Sequence, residues 1–399
     1  MDLKLKQEHQ DFRMEVREFL RDNLPEDIRD TARRMFHIDP EPMRRWQRIL
    51  YEKGWAAPGW PVEYGGTGWS AIQRFIFDEE YCALDGPLPL MMGHGVQIIG
   101  PVLYTYGSEA QKAQYLPRIL KGEDFWAQGF SEPGAGSDLA SLRTRAVRDG
   151  DDYVIDGHKI WTSMAHHSNM LFLLARTDPE VKPQKGISFF VFPTDTPGVT
   201  VRPIISIDRG HSLNETFYDN VRIPADSLIG EEGQGWTYAK FLLGHERFNI
   251  AEIARSKQRI RRLWQIARAM PAGEATLADD AGFRSRMTAL EIDMATLEQL
   301  GLRVAWEMDS GVHNMQSASI LKLRGSRLIQ AVTELSVEAM GYAGLAYHPQ
   351  QDGSQISPPA PEVAQGKMEE MLFLRAATIY GGSSETQLNI LANLIYAEV

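Results

Sequence analysis

Four stretches of this 399-residue chain hold residue types that could do chemistry. The first centres on a glutamate. Trp236, Ala239, Leu242, Leu243, Ile250 and Ile253 recur at helical spacing, and Glu246 lies on the same stripe, four residues from both Leu242 and Ile250. Its neighbours three positions away are Leu243 and Asn249, so its own helix offers no cation. A carboxylate on an apolar stripe either reaches a cation on another helix, reaches solvent at the stripe edge, or is kept for use. Burial would raise its pKa toward the range of a general base.

The second stretch is Phe130-Ser131-Glu132-Pro133-Gly134-Ala135-Gly136-Ser137-Asp138. Small residues there let the backbone approach a ligand, although the same composition also makes a plain tight turn. No Gly-Lys-Ser/Thr follows, so it is not a Walker phosphate loop, and it does not read as the strand-turn-helix of a dinucleotide fingerprint. The third is Lys159-Ile160-Trp161-Thr162-Ser163, an indole followed by hydroxyls at a strand end. It could cover a flat ring and hydrogen-bond its edge, or simply be a core tryptophan. The fourth is Tyr380-Gly381-Gly382-Ser383-Ser384-Glu385-Thr386, two glycines running into a capped helix start. Free amides and the helix dipole at such an end suit an oxyanion or phosphate, and a helix start with a flexible turn has the same composition.

Other chemistries lack their signatures. None of the ten histidines has HExxH spacing, and no GxSxG is present, so neither a zinc protease nor a serine hydrolase is supported. The basic cluster Arg255, Lys257, Arg259, Arg261, Arg262 and Arg268 reads as a solvated helix face. A formal charge of −11 argues against nucleic acid as a partner. No apolar run reaches the ~18–20 residues of a bilayer span. The single cysteine, Cys82, fits a reducing compartment, and a soluble cytoplasmic protein is the expectation.

The elements that must position these stretches fall into three blocks. Up to about residue 120 the chain is helical in period, with Leu5, Phe12, Val16, Phe19 and Leu20 as one apolar stripe and further helices near 71–85, 94–106 and 109–120. The Gly-, Pro- and aromatic-rich loop GWAAPGWPVEYGGTGWS interrupts them. From about 125 to 229, short apolar runs alternate with turn residues: Tyr153 to Ile155, Met170 to Ala175, Ile187 to Phe192, Val199 to Ile205 and Glu215 to Val221. Asp156-Gly157 reads as a hairpin turn. Long helical periods return over Trp236 to Met270, Phe283 to Asp309 and Ser317 to Met340, with breakers at 270–282 and 348–362 and a last helix from Ser384 to Ala397.

Taken in order, these features resemble the acyl-CoA dehydrogenase family of flavoproteins over nearly the whole chain. The aromatic loop resembles the family's PxxYGGxG. SEPGAGSD is similar to TEPxAGSD, with Ser131 for Thr, and KIWTS resembles K-W-I-T-N. VRIPADSLIGEEGQGW resembles the family's exit from the β domain, and RVAWEMDSG and IYGGSSETQLNILA also match. The resemblance implies an α+β fold: an N-terminal all-α domain over 1–124, a middle β-barrel-like domain over 125–230 and a C-terminal four-helix bundle over 231–399. FAD would sit between the last two. Gln128, Phe130 and Ser131 would line the flavin ring, Trp161 would cover it and Ser163 would approach N5. Ser137 would lie near CoA, and Gly341 and Ser383 would help hold the dinucleotide, partly across a subunit interface. No metal is implied.

Two departures matter. Many members read YEGT near the C-terminus and use that acid as base; the position here is Gly381. A minority carry the base in a Glu-Arg pair on the first bundle helix, and this chain has Glu246-Arg247. The Arg-Lys-Thr-Phe-Gly segment that contacts the FAD pyrophosphate in relatives is replaced by MPAGE, with Arg268 the nearest cation. The implied activity is α,β-dehydrogenation of an acyl-CoA thioester to the trans-2-enoyl-CoA. Glu246 would take the α proton, the β hydride would go to flavin N5, and the Gly381 amide would polarise the thioester carbonyl. Electrons would pass to an electron-transfer flavoprotein or similar carrier. A flavin monooxygenase on the same scaffold and a catalytically silent subunit are the alternatives. The expected assembly is a homotetramer, a homodimer, or a heterotetramer with a homologous subunit. The proline-rich 349–361 and aromatic 54–69 segments are compatible with a dicarboxylyl, branched or ring-bearing acyl chain.

Overall fold

The computed structural model describes residues 5–34, 39–88, 90–312, 315–345 and 362–396, with the backbone alone at 34, 90, 91, 243–250 and 315. The proline-rich loop expected at 348–362 falls almost wholly outside them, as does Ala397. Two compact units form, one from residues 39–68 and 89–246 and the other from residues 1–38, 69–88 and 247–399. The architecture is N-terminal helices, a middle β sheet and C-terminal helices, as the sequence leads one to expect.

In chain order the helices are α1 Gln7–Asn23, α2 Glu26–Arg34, α3 Pro40–Lys53, α4 Ala71–Ala83, α5 Leu90–Gly93, α6 Gly100–Tyr106, α7 Glu109–Leu120, α8 Gly235–Ile250, α9 Ile253–Ala269, α10 Ala281–Asp309, α11 Met315–Ala339, α12 Lys367–Phe373 and α13 Ser384–Tyr396. The helix expected over 94–106 opens with a π turn, His94–Ile99, before α6. The cause is the aromatic loop. Trp60 is buried, and its indole N–H donates to the Val96 carbonyl at 2.6 Å. Gly100 leaves the space, since a Cβ there would come within 2.1 Å of the Trp60 ring.

The sheet has seven strands: β1 Trp126–Gly129, β2 Arg145–Asp149, β3 Asp152–Lys159, β4 Met170–Arg176, β5 Ile187–Pro193, β6 Val199–Ile204 and β7 Leu213–Pro224. The order is β1-β4-β2-β3-β7-β6, with β5 on the other edge of β4. β1 and the end of β2 run parallel to β4, and the remaining pairs are antiparallel. Leu171 to Ala175 and Ile187 to Val191 have no exposed surface, which is why these two strands read as unbroken apolar runs.

Asp156-Gly157 is not a turn. The β2–β3 hairpin turns at Gly150, φ +62°, while Asp156 and Gly157 lie inside β3. Glycine is needed at 157 for close packing, because a Cβ there would approach Thr144 Oγ1 to 2.3 Å. Opposite Asp156, β7 carries one extra residue: Ile155 faces Val221 and Gly157 faces Tyr218. Asn220 takes φ +51° in this bulge and donates its N–H to Asp156 Oδ1 at 2.9 Å. Burial along β7 changes parity there, from Asn214, Thr216 and Tyr218 to Val221 and Ile223.

The single helix expected over Trp236 to Met270 is two, α8 and α9. Glu252 lies between them in the left-handed region, φ +45°. The bend fits the packing around it. A Cβ at Gly325 would meet the Ala251 carbonyl at 2.7 Å, so the two backbones touch. Arg259 also draws the Glu252 carboxylate to 2.7 Å. The stripe through Glu246 therefore ends at Ile250, and Ile253 starts a new helix. The breakers at 270–282 form a two-residue hairpin, Pro271–Ala272 with Ala275–Thr276, and then the Asp280 cap of α10, which accepts from the Phe283 N–H at 2.7 Å. The core of the helical unit includes Leu263, Met287, Ala305, Leu321 and Val332, none with any exposed surface.

The basic cluster on α9 is not a solvated face. Arg259 is 4% exposed and bridges Glu252 and Glu370. Lys257 pairs with Glu79 and Glu298, and Arg262 with Asp85. Apart from Glu252, which caps α9 itself, these partners lie outside α9, out of reach of helical-period reasoning.

Candidate active site

Two of the predicted stretches are neighbours in the β unit. Lys159, at the end of β3, has no exposed surface. Its ammonium donates to the Phe130 carbonyl and to Glu132 Oε1, both at 2.9 Å. Glu132 also accepts the N–H groups of Arg143 and Thr144, at 2.6 and 2.8 Å. Burial lowers the Lys159 pKa to about 8 despite the attraction of Glu132. Burial acts to raise the Glu132 carboxyl, but Lys159 and the donors around it outweigh that and hold it below its ordinary value. This ion pair and a bond from the Ile160 N–H to the Ser131 carbonyl, 2.9 Å, lock the Ser-Glu-Pro loop against the Trp-Thr-Ser turn.

Trp161 follows the pin and is not a core residue: it is 55% exposed and holds φ +61°, a conformation that strains a bulky side chain. Thr162 behind it is fully buried. Ser131, Ser163 and Gln128 are half-buried on these adjoining segments, and Ser137 is exposed at the loop's far end. Phe130 turns its ring into the core, edge-on to Phe172 and Phe189, so only its backbone lies at this surface. A Cβ at Gly134 or Gly136 would meet nothing within 4 Å, so this stretch of loop faces open space. An exposed, rigidly held indole beside half-buried hydroxyls and an amide fits a flat, polar-edged ring such as an isoalloxazine.

In the helical unit, Gly381 and Gly382 hold φ +64° and +87°, which favours glycine at both positions. Ser383 caps α13, its hydroxyl accepting the Thr386 N–H at 3.2 Å. Lys322 on α11 is fully buried beneath this turn. Its ammonium donates to the Ala377 carbonyl at 2.6 Å and lies 5.9 Å from the Tyr380 ring centroid. Gly341 has φ +54° in a short 3₁₀ segment, Gly341–Leu345. Glu246 and Arg247 fall in the last turns of α8, with Ala239 and Leu242 buried earlier on the stripe; their side chains lie outside the described residues. No cluster of metal-ligating side chains is found among the described residues.

The sequence reading missed Glu132, Asn214 and Lys322. Lys159 and Glu132 both lie within quoted motifs, but they are 27 residues apart, and only the fold pairs them.

Comparisons with known proteins match the chain along its whole length. Family models of the N-terminal, middle and C-terminal domains of acyl-CoA dehydrogenases match residues 6–123, 127–221 and 233–396. The chain is 34% identical to acyl-CoA dehydrogenase IpdE1 of Mycobacterium tuberculosis (strain ATCC 25618 / H37Rv) over 399 residues, 98% of this chain and 97% of that protein. It is 34% identical to acyl-CoA dehydrogenase FadE29 of the same organism over 346 residues, 86% of this chain and 87% of the relative. Among solved structures, the steroid ACAD Tcur3481-Tcur3483 matches with a TM-score of 0.86 and 32% identity, covering 100% of this chain and 99% of that one. The chain belongs to the acyl-CoA dehydrogenase family. It is an FAD-dependent oxidoreductase acting on acyl-CoA.

Proposed function

We propose that Glu246 is the base of this dehydrogenase and that the product is the trans-2-enoyl-CoA. One observation carries the reading: position 381 holds a glycine at φ +64° where many relatives hold an acid, and the remaining candidate acid is Glu246 on α8. An α C–H is too weak an acid for a carboxylate in water. The cost falls when donors polarise the thioester carbonyl, and the Gly381 N–H is suited to that task. Lys322, buried beneath the turn, and the N-terminus of α13 add positive potential there. Glu246 takes the α proton while Arg247 orients the carboxylate or its helix. Bound FAD would supply the acceptor for the hydride leaving the β carbon, with Ser131, Ser163, Gln128 and Trp161 about its ring. Ser137 serves the CoA side.

A ring-bearing acyl group is the proposed substrate class, supported by similarity across the full chain to a steroid ACAD. The proposed assembly is a heterotetramer with a homologous chain. Ile320, Leu388, Ile395 and Tyr396 on α11 and α13 are exposed apolar residues that an interface would cover. A structure at TM-score 0.84 and 30% identity is likewise a complex of two named chains, ChsE4-ChsE5. Reduced flavin would be reoxidised by an electron-transfer flavoprotein or a similar carrier.

Glu246→Gln tests the base. It keeps shape and removes the proton acceptor, so FAD and acyl-CoA should still bind. Reduction of the flavin by a verified substrate should slow by about 10²–10⁴-fold in stopped-flow absorbance. Reduction at the wild-type rate would assign the base to another group.

A further inference from the structure

Asn214 in β7 has no exposed surface and spends every polar atom of its side chain and its carbonyl on one purpose. Its carbonyl accepts the Thr162 N–H at 2.9 Å, and its Nδ2 donates back to the Thr162 carbonyl at 3.0 Å. A carbonyl can only accept, so this contact fixes which way the amide points. Oδ1 then faces His211 Nε2 at 2.8 Å, which must donate, and Nδ2 also reaches His166 Nδ1 at 3.1 Å, which must accept. The two imidazoles stack at 3.7 Å with their planes 17° apart, so each fixes the position of the other. The neighbouring residue Ser212 accepts the Met164 N–H at 2.7 Å, and Thr216 lies 3.3 Å from the Thr162 hydroxyl.

What this network grips is the strained part of the β unit. Thr162 stands between Trp161 at φ +61° and, two residues on, Met164 at φ +55°. Non-glycine residues persist there only where their surroundings over-determine them. We propose that Asn214 is a positioning residue for the cofactor: by clamping Thr162 on both sides, it holds the Trp161 indole and the Ser163 hydroxyl where an isoalloxazine ring needs them. His166 and His211 hold Asn214 in turn. The inference rests on the reading of Trp161 as the residue that covers the ring.

The test uses the purified holoprotein and its reconstituted apoprotein. Asn214→Ala should weaken FAD about tenfold in a fluorescence titration, the loss expected when buried hydrogen bonds are removed. Bound flavin should emit more strongly, because the indole no longer quenches it. Asn214→Asp keeps volume and the His211 bond but loses both donations. The buried oxygen it turns on the Thr162 carbonyl repels it, so the loss should be at least as large; Asn214→Ser, which adds no charge, serves if the alanine variant does not fold. In a Trp161→Gly background, where φ +61° costs nothing, adding Asn214→Ala should change FAD affinity less than about twofold. The clamp is overturned if Asn214 variants melt earlier but bind FAD and emit as wild type does. It is overturned equally if the two substitutions multiply. If Trp161→Gly itself leaves emission and affinity unchanged, the ring-covering reading fails first and takes the clamp with it.

Discussion

Lys159 in the β unit and Arg259 in the helical unit are both stripped of water, yet their charges are set in opposite directions. Lys159 has one carboxylate, Glu132, which it shares with two backbone amides. Burial dominates and lowers the pKa to about 8. Arg259 has two carboxylates, Glu252 and Glu370, the second shared with Lys367, and together they outweigh burial and raise its pKa above the ordinary value. One carboxylate does not offset desolvation, and two do. The pin at the Ser-Glu-Pro loop is therefore titratable, while the pin between helices is permanent.

Three measurements would break or sharpen that contrast. Arg259→Met leaves Glu252 without a cation and Glu370 with Lys367 alone, and should cost about 3–5 kcal/mol of unfolding free energy in urea. Lys159→Met should cost less, about 2–3 kcal/mol, because Glu132 keeps the Arg143 and Thr144 amides. It should also loosen FAD, since the Ser-Glu-Pro loop loses its anchor. Equal costs for the two would mean that the number of carboxylates is not what matters.

The third measurement is of pH. Lys159 loses its proton near 8 when folded and near 10.4 when unfolded, so between those values the unfolded chain binds more protons and stability rises with pH. The penalty for burying the charge is complete below pH 8 and gone above about 10.4. The destabilisation by Lys159→Met should thus grow by about 3 kcal/mol across that window. The destabilisation by Arg259→Met should stay flat, since the guanidinium keeps its proton throughout. Parallel curves would show that Lys159 is no more titratable than Arg259.

Local pattern carried the sequence reading where local physics decides the structure. The short apolar runs at 170–175 and 187–192, bounded by turn residues, read as strands and are strands, and Ser383 could be seen to cap α13 from its place before Ser384-Glu385. The reading failed where a distant residue intervenes. Nothing near Ala251 announces that Gly325 will press against its carbonyl and help end a helix. The α9 cations looked solvated because Glu79, Asp85, Glu298 and Glu370 are far off in sequence. Asp156-Gly157 has the composition of a turn, and only Thr144 explains the glycine. The motifs themselves stand out in the sequence and what holds them does not: Glu132, Asn214 and Lys322 act through partners no spacing rule connects.

The extra residue at Asp219-Asn220 bears on how this chain can be inherited. β7 spans 12 residues and serves one core with two opposite parities, joined at the bulge. Loss of a single codon there would remove no side chain that touches a cofactor. It would instead remove the bulge and bring Asn214, Thr216, Tyr218, Val221 and Ile223 into one unbroken alternation on the core side, whereas loss of a codon elsewhere in the strand would put the residues on its two sides out of phase. A deletion at 219 or 220 is therefore absorbed by the strand, whereas the same deletion between Leu213 and Tyr218 is a frame error in three dimensions. Lineages should vary both the identity and the number of residues at the bulge and preserve the length of the strand before it.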